Sequence, residues 1–338
     1  MQSGRRFFIT GWRSADALAA FEERLARAAN GVLTPVTTQG GKRWLFVPQD
    51  DGDVLLARGL CAEYDVALCL RVHGGGHIDA MADATEAPRA SLVVDPSRLQ
   101  ALKRYGEGAQ AVWRAQAGCT LGALADAGLT QFAGGAAQMT LAQWACGRHD
   151  DVRSGETAAT GVVGADVLFS DGTVETLGGF GANDTRALKS ARVQAMVPAL
   201  FELARSDIAC QLRAQPRWLA QARLDALVPA SAQGSDDINV ARVFLGHQGR
   251  YGWILQWLLR VPVRQAHDPS PSTGFTEALP ATPTTNAARY TGLTERAAST
   301  GSTEPAFAAL VARVPSFNDA VGQVLDPENR YGGATTIA

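Results

Sequence analysis

Arg71-Val-His-Gly-Gly-Gly-His77 follows directly on an apolar run, Val66-Ala-Leu-Cys-Leu70, that has the length and composition of a buried strand. Three consecutive glycines leave no Cβ to hold a ligand's oxygens away, and they tolerate positive φ, so successive backbone N–H groups can converge on one anion. A strand ending in such a turn has the local chemistry of a diphosphate cradle; a glycine-rich turn that happens to carry two histidines is the plainer alternative. His73 and His77 stand four apart, a spacing that gathers two ligands on one ion only on a helix. Three glycines oppose a helix here, so no metal is expected.

Outward from this loop the pattern alternates between strands and helices. Ser14 caps an amphipathic helix running to about Ala29, with Ala17, Leu18, Phe21, Leu25 and Ala28 on its apolar side. Arg43-Trp-Leu-Phe-Val-Pro48 reads as a strand and Asp51 to Tyr64 as a helix. Ser91-Leu-Val-Val-Asp-Pro-Ser-Arg-Leu99 is a strand running into a turn. The stretch 111–129 gives a strand, a turn at Gly118, a capping Thr120 and a short helix ended by Gly128. A helical run from Thr185 to Arg205 carries Leu188, Val193, Met196, Val197, Leu200 and Leu203, and Pro198 is expected to kink or divide it.

Taken in order, GGGH, VVDPSRL and AQAGCTLGALADAGL resemble the first half of the FAD-binding domain of the vanillyl-alcohol-oxidase (PCMH) type. The second half is similar too: Gly147-Arg-His-Asp-Asp-Val-Arg-Ser-Gly155 and Gly161-Val-Val-Gly-Ala-Asp-Val-Leu-Phe-Ser-Asp-Gly172 look like the family's "G…RxG…vxG…v…DG" run. Val243 to Trp257 resembles the strand that closes the domain, and Phe317 to Gly332 resembles the family's "fDP…NPG" ending without its final Pro. The resemblance implies an α+β fold: a two-lobed FAD domain over 41–265, with lobes of about 41–100 and 101–265. The small lobe would hold a parallel element and the large lobe a mainly antiparallel sheet, with the cofactor between them. Residues 1–40 become a helical lead-in, and 266–338 a Pro/Ser/Thr-rich linker and short C-terminal segment, a reduced cap-like region. A doubly wound sheet is the competing expectation, but GGGH is not G-x-G-x-x-G.

The resemblance implies FAD as cofactor, held by His73, Gly74, Gly75, Gly76, His77, Ile78, Gly134, Thr140, Gly147, Arg153, Gly155, Thr157, Gly161 and Val163. In sugar-lactone oxidases the histidine matching His77 bonds covalently to FAD, whereas glycolate-dehydrogenase-type chains bind it without that link. The layout is closest to the FAD-binding subunit of glycolate dehydrogenase and to D-lactate dehydrogenase-type proteins. The "GDGNxH" cap motif of the D-lactate enzymes is missing from the sequence. The family's glycine pair is replaced within Thr140-Leu-Ala-Gln-Trp144, so Gln143 and Trp144 are expected to crowd the flavin site.

Oxidising an alcohol carbon needs a base for the hydroxyl proton. His149 and His247 are the candidates, with Tyr251 behind them; Asp150 and Asp151 would raise the pKa of His149. Each is equally a polar loop residue touching phosphate or solvent. Arg148 and Arg153 suit a substrate carboxylate or the FAD pyrophosphate. Two functions remain open: an oxidoreductase acting on a small hydroxy acid or alcohol, or a flavin-binding, non-catalytic subunit working with catalytic and iron–sulfur partner subunits.

Composition narrows the field. The chain has 338 residues, 46% hydrophobic and 19% charged, enough for two modest cores. A net charge of −2 argues against nucleic acid as partner. Only Lys42, Lys103 and Lys189 are lysines, which reflects composition rather than phosphate recognition. Cys61, Cys69, Cys119, Cys146 and Cys210 form no C-x-x-C pair and suit a reducing compartment. A cytoplasmic protein without a transmembrane anchor is expected, peripheral at the inner membrane only through partners.

Overall fold

The computed structural model describes residues 15–36, 41–72, 90–180, 187–228, 238–262 and 305–335. Their strands form two five-stranded sheets.

The first sheet contains β1 (Val32–Val36), β2 (Arg43–Val47), β3 (Ala67–Arg71), β4 (Ser91–Val94) and β10 (Tyr331–Thr335) in the order β1-β2-β4-β3-β10. β2, β4, β3 and β10 run parallel, and β1 pairs antiparallel at the edge. The side chains explain the order. β4 is buried along its whole length and β3 as far as Leu70, as a central parallel strand must be. β1 carries Pro35, which an edge strand tolerates because it has no ladder N–H to give. Helices α1 (Ala15–Ala28) and α2 (Asp51–Tyr64) pack on this sheet, putting Phe21 and Leu25 against Trp44 and Phe46. Asp50 caps α2 by accepting from the Asp53 amide at 3.0 Å, and Asp65 ends it in the left-handed conformation.

The second sheet contains β5 (Leu102–Tyr105), β6 (Val112–Gln116), β7 (Val162–Leu168), β8 (Val174–Gly178) and β9 (Trp253–Leu259), ordered β5-β6-β9-β7-β8 and antiparallel throughout. Around it lie α3 (Leu121–Asp126), α4 (Leu141–Cys146), α5 (Ala191–Arg205), α6 (Asp207–Arg213) and α7 (Pro305–Leu325). This is the two-lobed α+β architecture expected from the motifs: one largely parallel sheet and one antiparallel.

The lobes share a core. Leu168, Trp253 and Leu255 of the large sheet, with Ala142 and Cys146 of α4, belong to the same apolar cluster as Trp44, Leu68 and Leu92 of the small one. Polar ties flank it: the neighbouring Gln116 and Gln256 amides both donate to the Asp51 carboxylate, at 3.1 and 2.9 Å, and the Tyr331 hydroxyl donates to the Leu168 carbonyl at 2.6 Å. Gly118 is wedged where β4's turn meets β6; a Cβ there would lie 1.9 Å from the Pro96 oxygen, so only glycine fits.

Several sequence expectations need adjustment. The small sheet recruits β1 and β10 from outside 41–100, and the C-terminal segment holds the long helix α7. α5 starts at Ala191, capped by Ser190, and runs through Pro198 undivided. The stretch from Val243 is a strand only from Trp253, because positive φ at Gly246, Gln248, Gly249 and Tyr251 folds the preceding residues into turns. The 267–301 linker lies outside the described residues.

Candidate functional site

Strand β3 ends at Arg71, and the glycine loop follows it. His73, Gly74, Gly75, Gly76, His77 and Ile78 lie outside the described residues, but the root of the loop does not. Arg71 Nη1 donates at 2.8 Å to Asp95, which follows β4 on the same carboxyl edge of the sheet, and Asp95 also accepts from the Ser97 amide. Arg71 Nε is buried and has no partner among the described residues. An N–H left over at the carboxyl ends of parallel strands, three positions before Gly74 in the sequence, suits an anionic group such as a diphosphate. The same edge abuts the second lobe, since Gly118 touches the turn that follows Asp95.

The second part of the site is built on α4. Thr140 caps this helix through its Oγ1, which accepts from the Gln143 amide at 3.2 Å, and Gln143 returns the bond by accepting from the Thr140 amide at 2.9 Å. Gln143 is therefore folded back on its own helix. Trp144 is half-buried, edge-on to Phe132 at 4.9 Å and to His149 at 4.7 Å.

His149 is buried, and its Nε2 has no hydrogen-bond partner among the described residues. Burial outweighs the field of Asp151 and lowers its pKa to about 4, with Arg223 pushing the same way. The expected rise from the flanking carboxylates is thus overridden by desolvation. His247 is buried beside it with both nitrogens engaged: Nδ1 lies 2.8 Å from the Arg250 carbonyl and Nε2 3.2 Å from the Cys146 sulfur. A carbonyl only accepts, so Nδ1 carries the proton and Nε2 accepts from the thiol. Burial lowers His247 to about 4 and raises Cys146 to about 12, so this is a neutral thiol–imidazole pair rather than an activated thiolate. Tyr251 is buried, its hydroxyl donating to Gln221 at 2.9 Å.

Most of the remaining sequence candidates make local contacts. Gly155 gives its N–H to Asp225 at 2.8 Å. Thr157 accepts from the Thr160 hydroxyl at 2.7 Å, and the Val163 carbonyl accepts from Asn239 at 3.1 Å. Gly161, at φ +74°, approaches so closely that a Cβ would lie 2.3 Å from the Arg260 oxygen. Gly147 ends α4, Gly134 has open space around its Cα, and Arg153 is exposed. Arg148 pairs with Asp150 at 3.4 Å on the surface.

No local pattern in the sequence singles out Arg223 and Asp225, yet they shape the site. The buried Arg223 binds Asp225 at 2.9 and 2.8 Å and donates to the carbonyls of His149, Val152 and Arg153 at 3.4, 3.4 and 3.0 Å. One guanidinium thus fixes the whole 149–153 loop.

No family model matches the chain, and no curated protein matches it. It is similar to solved structures. A Physcomitrella patens BBE-like 1 variant is 15% identical at TM-score 0.39, covering 72% of this chain and 44% of that one. Cholesterol oxidase from Brevibacterium sterolicum is 12% identical at 0.38 over 69% and 38%. Carbohydrate oxidase from Microdochium nivale is 13% identical at 0.37 over 72% and 43%. The chain thus spans less than half the length of these structures. The likenesses are too low to assign a role to any residue, and the two-lobed fold rests on strand order and register. Among the described residues no helix is long and apolar enough to cross a membrane, and no cluster of His, Cys, Asp and Glu could hold a metal ion.

Proposed function

We propose that this chain binds FAD across its two lobes and serves an oxidoreductase that oxidises a small hydroxy acid or alcohol. The observation that carries the reading is Arg71: a guanidinium whose buried Nε has no partner among the described residues, placed on the carboxyl edge of a parallel sheet three positions before Gly74 in the sequence, where the second lobe closes in. The glycines would supply backbone N–H groups and Arg71 a charge to the cofactor's diphosphate. When bound, the flavin accepts the hydride from the alcohol carbon.

His149 is the proton acceptor in this reading. Its pKa of about 4 keeps it neutral across the physiological range, and among the described residues no hydrogen bond engages its Nε2. Of the two histidines it is favoured over His247, whose nitrogens are both taken.

The test is spectroscopic. The purified chain should carry FAD absorbance that 2-hydroxy acids bleach, and Gly75→Val should lose the flavin while remaining folded by circular dichroism, since a Cβ and its methyls would displace the diphosphate. His149→Ala should slow the bleaching by about 10²-fold. Equal FAD content in Gly75→Val and parent overturns the cradle. A yellow protein that no hydroxy acid or alcohol bleaches overturns catalysis by this chain and leaves a flavin-binding subunit whose chemistry sits with a partner.

A further inference from the structure

Asp95 is anchored on several sides before it meets Arg71. Its amide donates to the Phe46 carbonyl of β2 at 2.8 Å, which seats it at the carboxyl end of the parallel strands. One carboxylate oxygen, Oδ1, accepts from the Ser97 amide at 2.9 Å and starts the turn 96–98, which the Leu99 amide closes on the Pro96 carbonyl at 2.8 Å. The large lobe grips that turn: the Gly118 amide donates to the Leu99 carbonyl at 2.8 Å, and Gly118 stands so near the Pro96 carbonyl that no Cβ fits between them.

The other oxygen, Oδ2, accepts from Arg71 Nη1 at 2.8 Å. The two side chains differ in what they show to solvent, 6% of its surface for Asp95 and 22% for Arg71. Asp95 is thus the fixed member of the pair and Arg71 the one that reaches outward. An arginine side chain is long and rich in rotamers, and its planar fork recognises an oxyanion only in a defined orientation. Pinning Nη1 fixes that orientation in advance.

Charge alone would argue against a carboxylate at this place. Asp95 offsets the positive charge of Arg71 and repels an anion brought to the same edge, so a purely electrostatic account makes it a handicap. Its compensating effect is order, because a side chain immobilised in the free protein does not have to be immobilised on binding. The two accounts predict opposite signs when the carboxylate is neutralised.

We propose that Asp95 is a positioning residue for the cofactor, holding the Arg71 guanidinium along the carboxyl edge so that the diphosphate meets a fork already in place; this rests on FAD being the ligand of that edge. Because Asp95 stands at the head of the turn against which Gly118 is wedged, the contact between the lobes sets the direction of Arg71.

The experiment titrates FAD into the full chain after its flavin is removed, with binding read from the quenching of flavin fluorescence. Asp95→Asn keeps an oxygen for the Ser97 amide and loses the acceptor for Arg71. Its dissociation constant for FAD should rise about fivefold, the effect of one side chain left to be immobilised on binding. In an Arg71→Met background the same substitution should change nothing, since a residue that acts through Arg71 has nothing left to act on. A parent that binds FAD and an Asp95→Asn variant that binds it equally or more tightly overturn the positioning role and leave the cofactor reading standing. Equal weakening in both backgrounds overturns it too, because Asp95 then serves only the turn. A parent that binds no FAD overturns the cofactor reading and this role with it. Should Asp95→Asn not fold, or Arg71→Met bind too weakly to measure, Arg71→Lys reads the same point: it keeps the charge and loses the fork, its dissociation constant should rise about fivefold or more, and an unchanged one overturns the proposal.

Discussion

Arg223 and Arg58 are both buried arginines, and they are opposites. Arg223 sits inside the large lobe with a bidentate carboxylate and three loop carbonyls, so its charge and its N–H groups are accounted for. Arg58 sits at the seam with none of this. The difference teaches that burial alone does not tell what a charged side chain is for. A fully answered guanidinium supports the scaffold, and one that lacks acceptors costs stability rather than adding it.

Removing the answer from the first should cause the largest change. Asp225→Ala strands Arg223 in the core and should destabilise the chain by about 3–5 kcal/mol, read as a fall in the urea midpoint at unchanged slope. A loss under about 1 kcal/mol would mean that the loop carbonyls suffice and the comparison is weaker than drawn. Acid comes next. His149 and His247 are neutral and buried, with pKa values near 4 against the ordinary 6.5, so below pH 6.5 the unfolded chain takes up protons that the folded chain refuses. Stability is complete above pH 6.5 and should fall by about 1.4 kcal/mol per pH unit per histidine down to about pH 4, where the folded rings protonate too. Double substitution of both histidines by Gln should flatten that slope by two protons; a slope unaltered would show the rings are solvated. The smallest effect separates the two arginines by sign: in anion-free buffer Arg58→Met should be neutral or more stable by about 1 kcal/mol, because an unpaired buried charge has been replaced by an apolar stem. A clear loss there would mean that Arg58 already has its answer.

The elements that could be read from the sequence were those whose signal is local. α2 has Asp50 to start it, β2 alternates buried and half-buried residues, and the segment around Gly118, Thr120 and Gly128 folds as its caps dictate. β1 and β10 gave no such signal, since they are short, contain Pro35 or two glycines, and become strands only by pairing with neighbours far away in the chain. In the site, Thr140 is expected to hold the cofactor and Gln143 to crowd it, and the capping box they form with α4 is a contact that only the folded helix shows. The flanking aspartates suggested a raised pKa for His149, yet depth of burial is a tertiary property and it reversed the sign. Arg223 and Asp225 stood in a stretch without periodicity, where nothing in the local pattern distinguishes a core ion pair from a solvated one.

The pairing of β10 with β3 joins Tyr331 to Leu68 and Thr335 to Arg71, beside the strand that launches the glycine loop. During synthesis, β1 through β4 leave the ribosome long before β10 exists. Until it arrives β3 is an unprotected edge, its ladder groups available to another chain. The small lobe is therefore expected to mature late, waiting on a closure whose entropic cost is set by nearly the whole polypeptide. Any cofactor that depends on the loop after β3 would be captured only once translation has passed residue 335.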